Sequence, residues 1–241
     1  MGKMRRAIRR WDLLPPGSSV VLGISGGVDS LVMLRLVAEH ARTVSPPIRL
    51  LGLHVTLDAR GTTPGLPDHV LRWAEGFGVE VRSVPPRFDT MEKVPESCFR
   101  CARIRRRTLL ETADGLGFRR VALGHHADDV VETWLMGLFF SGSPDVLPPS
   151  RGYFDGAITV VRPLYELRAG EIRRMGRICG VPVVENACPL DGSTSRETVR
   201  RVLGALGREE RLVRRNLFWQ VVRRLEEAPV TSGDCGTVSR E

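Results

Sequence analysis

Three short stretches of this sequence carry side chains that can do chemistry. In the first, Ser25-Gly26-Gly27-Val28-Asp29-Ser30 follows an apolar run and precedes a helical pattern. A Gly-Gly turn between strand and helix lets backbone N–H groups approach a phosphate closely, and the helix N-terminus adds partial positive charge. The Ser25 and Ser30 hydroxyls can donate to phosphate oxygens, and Asp29 can hold a Mg²⁺ ion that binds them. The spacing fits neither G-x-x-x-x-G-K-[ST] nor G-x-G-x-x-G. The second stretch is Gly124-His125-His126-Ala127-Asp128-Asp129-Val130-Val131-Glu132-Thr133. Gly124 permits a tight strand exit. Asp129 and Glu132 have the spacing of a helix-capping pair, which leaves the paired His and paired Asp unexplained. Carboxylates there can hold Mg²⁺ against pyrophosphate. For His125 and His126 the choice between general acids and neighbours of the cap stays open. The third stretch is Cys98-Phe99-Arg100-Cys101, at a helix start that favours thiolate. Alone, C-x-x-C is compatible with zinc, iron–sulfur, redox chemistry or coincidence. Cys188 stands far downstream with no C-x-x-C partner, which disfavours a four-cysteine zinc ribbon. Cys179 falls on the apolar side of a helical pattern and reads as core; Cys235 lies in a polar tail.

The elements that must position these residues follow from hydrophobic periodicity. Short apolar runs at Ser18–Ile24, Ile48–Val55, Val79–Val84, Val121–Leu123, Ile158–Val161 and Val181–Val184 read as strands. Helical patterns cover Met1–Trp11, Asp29–Ala41, Asp68–Phe77 (capped at Asp68), Cys98–Leu116, Asp129–Phe140, Glu171–Cys179, Ser195–Leu206 and Glu209–Leu225. Gly and Pro mark Thr56–Pro67 and Ser141–Gly156 as loops. Short buried strands alternating with helices predict an α/β fold, a parallel sheet with helices on both faces. Ligands of such folds bind beyond the carboxyl ends of the strands, where the first two chemical stretches fall. The organisation expected is a basic N-terminal helix over 1–17, one catalytic domain over 18–225 and a polar tail over 226–241.

The SGG-x-DS stretch resembles the signature of the PP-loop, or N-type ATP pyrophosphatase, superfamily. Gly-His-x-x-Asp-Asp-x-x-Glu-Thr resembles the second motif of its RNA-modifying members. The resemblance implies an adenine nucleotide α-hydrolase-like fold and cleavage of ATP to AMP and pyrophosphate, with the substrate adenylated. It implies nucleotide contacts by Ser25, Gly26, Gly27, Asp29, Ser30 and Gly124, with the adenine against backbone near Leu53 and His54. It also implies metal or catalytic roles for Asp29, Asp128 and Asp129. The order C-x-x-C, Arg103-Ile104-Arg105-Arg106-Arg107, GHHADD and a late cysteine is similar to the tRNA 2-thiocytidine synthetase family, over roughly Arg5 to Leu206. That family holds a 4Fe–4S cluster on three cysteines; carried over, these are Cys98, Cys101 and Cys188. Three ligands leave one iron free for a sulfide, which attacks the adenylated carbon as AMP leaves. Arg105 stands where the family carries a base of the catalytic site. Implied partners are tRNA, a sulfur donor (a cysteine desulfurase or free sulfide) and a second copy in a homodimer. Three departures stand out: Val28 replaces the family's usual Lys, the usual second cysteine near Cys188 is absent or Cys188 itself aligns with it, and the chain ends sooner.

Composition narrows the field. At 42% hydrophobic the 241 residues can bury a core, which excludes global disorder. Aromatics are 6%, fewer than a single-strand binder built on stacking platforms uses. The formal charge of +8 favours polyanionic partners. It concentrates in Lys3, Arg5, Arg6, Arg9 and Arg10; in Arg100, Arg103, Arg105, Arg106 and Arg107; and in Arg196, Arg200, Arg201, Arg208, Arg211, Arg214 and Arg215. The third cluster reads equally as a solvated helix face. Met1–Asp12 lacks the apolar segment of a signal peptide, and no window holds 18 apolar residues. With five cysteines, an odd number, a cytoplasmic protein without membrane partners is expected, its thiols acting as ligands or redox groups. The functional expectation is an ATP-dependent tRNA sulfurtransferase. Its alternatives are a ligase or sulfur transferase acting on a small molecule, and a non-catalytic RNA-binding module.

Overall fold

A computed structural model describes residues 1–58, 61–88, 97–143, 146–184, 195–210 and 212–227. The strands in chain order are β1 (Ser19–Gly23), β2 (Arg49–Val55), β3 (Leu57–Asp58), β4 (Gly61–Thr62), β5 (Val81–Val84), β6 (Arg120–Ala122), β7 (Ser150–Tyr153) and β8 (Ile158–Val161). Six of them form one sheet in the order β5-β2-β1-β6-β8-β7; β3 and β4 pair separately. β5, β2, β1, β6 and β8 are mutually parallel, and β7 runs antiparallel on the edge. The helices are α1 (Gly2–Trp11), α2 (Val28–Ala41), α3 (Asp68–Glu75), α4 (Cys98–Gly115), α5 (Ala127–Met136), α6 (Ala169–Ile178), α7 (Ser195–Glu209) and α8 (Val213–Glu227).

Side-chain alternation in β1 divides the molecule. Val20 and Leu22 point into a core with α1, α2, α3 and α6, while Val21 points into a second core with α4. All three are fully buried, each worth roughly 1.5–3 kcal/mol relative to an exposed side chain. A third core joins α5, α7 and α8 around Tyr165 and Phe218. The chain runs outward from β1 through β2 to β5, then returns to the other side of β1 with β6 and β8. That reversal opens a crevice between the carboxyl ends of β1 and β6. Register sets Gly23 beside Leu53 and Leu22 beside Ala122, so the segments after β1, β2 and β6 emerge at one level.

Several elements differ from expectation. Ser141–Gly156 contains β7, whose residues Ser150, Arg151, Gly152 and Tyr153 are nowhere fully buried, so no apolar alternation announces it. Val181–Val184 joins no strand; Val184 N–H donates to the Gly26 carbonyl at 3.0 Å and the segment crosses the loop after β1. Helix α3 has Pro67 at its N-cap, with Asp68 in the first turn. Helix α5 stops at Met136, where the backbone widens into a π-helical turn over Gly137–Ser141. Cys179 caps the C-terminus of α6 half-buried, its carbonyl taking a hydrogen bond from Arg35, and is not a core side chain. Among the described residues no helix is long and apolar enough to cross a membrane.

Candidate active site

The crevice at the β1/β6 reversal is a cleft of 660 Å³. Gly23, Ile24, Ser25, Asp29 and Ser30 form its floor with Leu53, His54, Leu123, Gly124 and His125. Thr63–Pro67, Val184 and the Ala102, Arg105 and Arg106 face of α4 form its walls.

The loop after β1 holds its own shape. Ser25 N–H and Ser25 Oγ both reach Ser30 Oγ at 3.2 Å, and Ser30 Oγ donates to the Gly27 carbonyl at 2.9 Å. Gly26 sits at φ +85°, and a Cβ there would lie 3.1 Å from both Leu66 and Val184. Only glycine meets both conditions. Gly27 is the N-cap of α2, so the positive end of that helix faces the cleft. Gly124 packs its backbone directly on the same turn: a Cβ would stand 3.1 Å from Asp29 C and 3.2 Å from Ser30 N. Val28, behind the loop, faces Gly176 of α6.

Neighbouring Asp128 and Asp129 face different ways. Asp129 lines the cleft, and its Oδ2 accepts His126 N–H at 2.9 Å at the N-terminus of α5. The capping pair is thus His126 with Asp129, in place of Asp129 with Glu132. Asp128 turns behind the helix end, accepting Ala169 N–H at 2.8 Å and Arg214 Nη1 at 3.0 Å. It lines a separate 200 Å³ pocket with Lys3, Arg6 and Arg168. The His126 ring lies between carboxylates, 3.8 Å from Asp29 Oδ1 and 3.4 Å from Asp129 Oδ2. Asp29 Oδ1 is buried and receives no hydrogen bond among the described residues. Burial raises the Asp29 pKa; His126 opposes the rise and Asp129 adds to it. Burial pushes the His125 imidazole down to about 4, with Arg162 contributing, so it is neutral at pH 7. His54 donates from Nδ1 to the Ile24 carbonyl at 2.8 Å, and burial lowers its pKa as well.

The C-x-x-C occupies the first turn of α4, where Ser97 Oγ accepts Arg100 N–H at 3.3 Å. Cys101 is buried and Cys98 exposed. Ala102, the next residue, lines the cleft, whereas neither cysteine is among its lining residues, and Cys101 packs into the core beneath α4. Arg105 turns its guanidinium onto the Leu57 carbonyl, through Nε at 3.0 Å and through Nη2. Cys188 lies outside the described residues. Cys235 and the segment 228–241 do too. Val184 and Arg196, which flank the stretch carrying Cys188, both reach the cleft: Val184 at Gly26 and Arg196 at 3.6 Å from Asp129.

One feature was not anticipated from the sequence. Glu132, 3% exposed, binds Arg200 at 3.0 Å and Arg196 at 3.7 Å, clamping α7 to α5 beside Asp129. The signal available was a lone acid in the apolar body of α5, with Arg196 and Arg200 one helical turn apart downstream.

A family model described as the PP-loop domain matches residues 3–206. The chain belongs to the PP-loop family. Ser25–Ser30, the stretch that resembles the family's signature, lies within the match. The tRNA-cytidine(32) 2-sulfurtransferase of Vibrio cholerae serotype O1 (strain M66-2) is 34% identical over 207 residues, covering 82% of this chain and 65% of that protein. The protein of the same name from Klebsiella pneumoniae (strain 342) is 33% identical over 204 residues, covering 82% and 64%. The chain therefore spans about 65% of the length of these curated relatives. The solved U34-tRNA thiolase NcsA from Methanococcus maripaludis, with its 4Fe–4S cluster, shares the fold at TM-score 0.73 and 21% identity, over 95% of this chain and 79% of that one.

Within this PP-loop protein the donors for a metal divide into two groups. Among the described residues no three His, Cys, Asp or Glu side chains converge to hold an ion unaided. Mg²⁺ is commonly bound by one or two carboxylates, with phosphate and water completing the shell. The unsatisfied Asp29 oxygen and the cleft-facing Asp129 fit that need. Two thiols one turn apart at a helix N-terminus fit part of a thiolate set for iron.

Proposed function

We propose that this protein is an ATP-dependent tRNA sulfurtransferase that thiolates a cytidine at C2, by adenylating the base carbonyl and exchanging its oxygen for sulfur. The observation that carries the reading is the meeting of the Ser25–Ser30 loop and the His125–Asp129 turn at one cleft, with α4, the helix that starts with the C-x-x-C, forming one wall. The names of the curated relatives support the base and, through them, position 32 of tRNA.

In this reading ATP lies with its adenine toward Leu53 and His54 and its phosphates over Gly26, Gly27 and the α2 N-terminus. Ser25 and Ser30 donate to phosphate oxygens, and Asp29 and Asp129 would hold Mg²⁺, which would neutralise phosphate charge. The C2 carbonyl oxygen of the base attacks the α-phosphorus and pyrophosphate leaves. Sulfide then adds to C2 and AMP departs with the former carbonyl oxygen, so no oxidant or reductant is consumed. Neutral His125 keeps the back of the cleft from adding charge. His126 links the two carboxylates, and Asp128 serves by holding Ala169 and Arg214, which fixes the start of α5. Arg105 braces the β3 backbone against α4 at the cleft wall. Cys98, Cys101 and Cys188 would hold a 4Fe–4S cluster, with sulfide delivered free or by a cysteine desulfurase. When bound, the cluster would supply a site for the sulfide that replaces the carbonyl oxygen.

The test is anaerobic reaction of the iron-loaded protein with ATP, Mg²⁺, sulfide and tRNA lacking the modification. Nucleoside mass spectrometry should find 2-thiocytidine, with AMP and pyrophosphate formed in equal amounts. Pyrophosphate release that ignores tRNA and depends on a small-molecule acceptor would overturn the reading in favour of a metabolite ligase.

A further inference from the structure

We infer that Phe99 and the arginine stripe behind it form the landing surface for the unpaired nucleotide that enters the cleft. This inference rests on the proposed tRNA activity and assigns part of it to residues the motifs leave idle. Phe99 sits between the two cysteines and is 77% exposed, the most of any large apolar side chain described. Water-facing phenylalanine on the first turn of a helix has no packing role to explain it. Helical spacing sets Ala102, Arg103 and Arg106 on the same face, at three, four and seven residues further on. All three are exposed, and Ala102 and Arg106 line the nucleotide cleft. The stripe therefore leads from the outer end of α4 into the cleft over about 10 Å.

Its chemistry suits one occupant. From Cys98 to Leu110 the helix carries five arginines and no acid. Phosphates meet that charge, and an unstacked base meets the Phe99 ring, the combination single-stranded RNA requires. A protein partner would want further apolar groups beside Phe99, and that face offers arginine instead. The low aromatic content does not conflict with this. One ring at the mouth captures a single base; it does not track a strand.

The experiment measures binding of the iron-loaded protein to two RNAs: a stem–loop with unpaired pyrimidines, and the same sequence closed into a full duplex. F99A should weaken stem–loop binding about five- to hundredfold and leave duplex binding alone, as loss of one stacked base does. F99W should restore the affinity and show fluorescence quenching on stem–loop addition. R103A should weaken both RNAs and lower the salt slope by about one. Equal stem–loop affinity of F99A and wild type overturns the inference, as does a loss equal on both RNAs. Loss of iron from F99A with RNA affinity intact also overturns it, since Phe99 would then shield the thiols. Failure of wild type to thiolate tRNA would sink the proposed function instead, an outcome the stem–loop comparison does not share.

Discussion

Gly124→Ala tests whether the two motif segments are held in register by backbone contact. The new Cβ would lie 3.1 Å from Asp29 C, 3.2 Å from Asp29 O and 3.2 Å from Ser30 N. Comfortable carbon contacts begin near ~3.5 Å. All three opposing atoms are backbone in the first turn of α2, so no rotamer change relieves the clash. The exit of β6 and the start of α2 must separate by about 0.4 Å to reach that distance. Overpacking of this kind costs about 1–3 kcal/mol. Taking about 2 kcal/mol, the melting temperature of a chain this size falls by about 4–8 °C. The functional loss should be larger than stability implies, because the displaced turn carries Asp29 and Ser30. Misplacement by a full ångström costs about a hundredfold in rate, so a few tenths should cost about tenfold in pyrophosphate release. Gly204→Ala is the control: it lies within α7 with nothing within 4 Å of its Cβ. It should stabilise by up to about 1 kcal/mol through helix propensity. Thermal unfolding and a pyrophosphate-release assay on the two variants decide the matter. Wild-type melting and turnover in Gly124→Ala would refute the contact argument, and an equal fall in Gly204→Ala would show the loss to be generic.

Other outcomes follow from the same geometry. On the proposed cluster assignment, Cys98→Ser, Cys101→Ser and Cys188→Ser should each strip iron and acid-labile sulfide from the protein, while Cys179→Ser, at the C-cap of α6, keeps both by elemental analysis. His125 is neutral in the fold with its pKa pushed down to about 4. As pH falls below its unfolded value near ~6.5, the unfolded chain takes up the proton first. Stability is then full above that pH and declines toward pH 4, by about 3 kcal/mol in total. Denaturant unfolding from pH 7 to 4 should show this slope, and it should be shallower in a folded His125→Asn variant, with His54, also lowered by burial, leaving a remainder. Glu132→Ala releases Arg196 and Arg200, which are 38% and 48% exposed, so screening limits the stability loss to about 1–2 kcal/mol. Its KM for ATP should rise as Arg196 loses its hold beside Asp129; an unchanged KM would uncouple α7 from the cleft.

What could be read from the sequence depended on how local each cause is. The PP-loop declares itself because glycine at φ +85°, an α2 N-terminus and two hydroxyls five residues apart must all be encoded within six positions. The parallel strands declare themselves because Val20, Val21 and Leu22 are buried on both faces and so read as an unbroken apolar run. Strand β7 does not, because an edge strand with no fully buried residue imposes no alternation on its sequence. Val184 looked like strand for the opposite reason: it is apolar because it covers Gly26, a contact no periodicity encodes.

The Asp128-Asp129 pair shows the limit most sharply. Adjacent residues on a helix point about 100° apart, so only one of two neighbouring carboxylates can face a given cleft. The motif alone cannot say which. The choice is made by α6 and α8, which arrive much later in the chain and claim Asp128 through Ala169 and Arg214. Asp129 is left to the cleft, held by His126 N–H and flanked by Arg196. The two acids thus divide the work by what packs behind them. Asp128→Asn should lower melting more than it lowers nucleotide affinity, and Asp129→Asn the reverse. Calorimetric ATP binding set against thermal unfolding for both variants would expose an inverted order, and with it an error in assigning Asp129 to the metal.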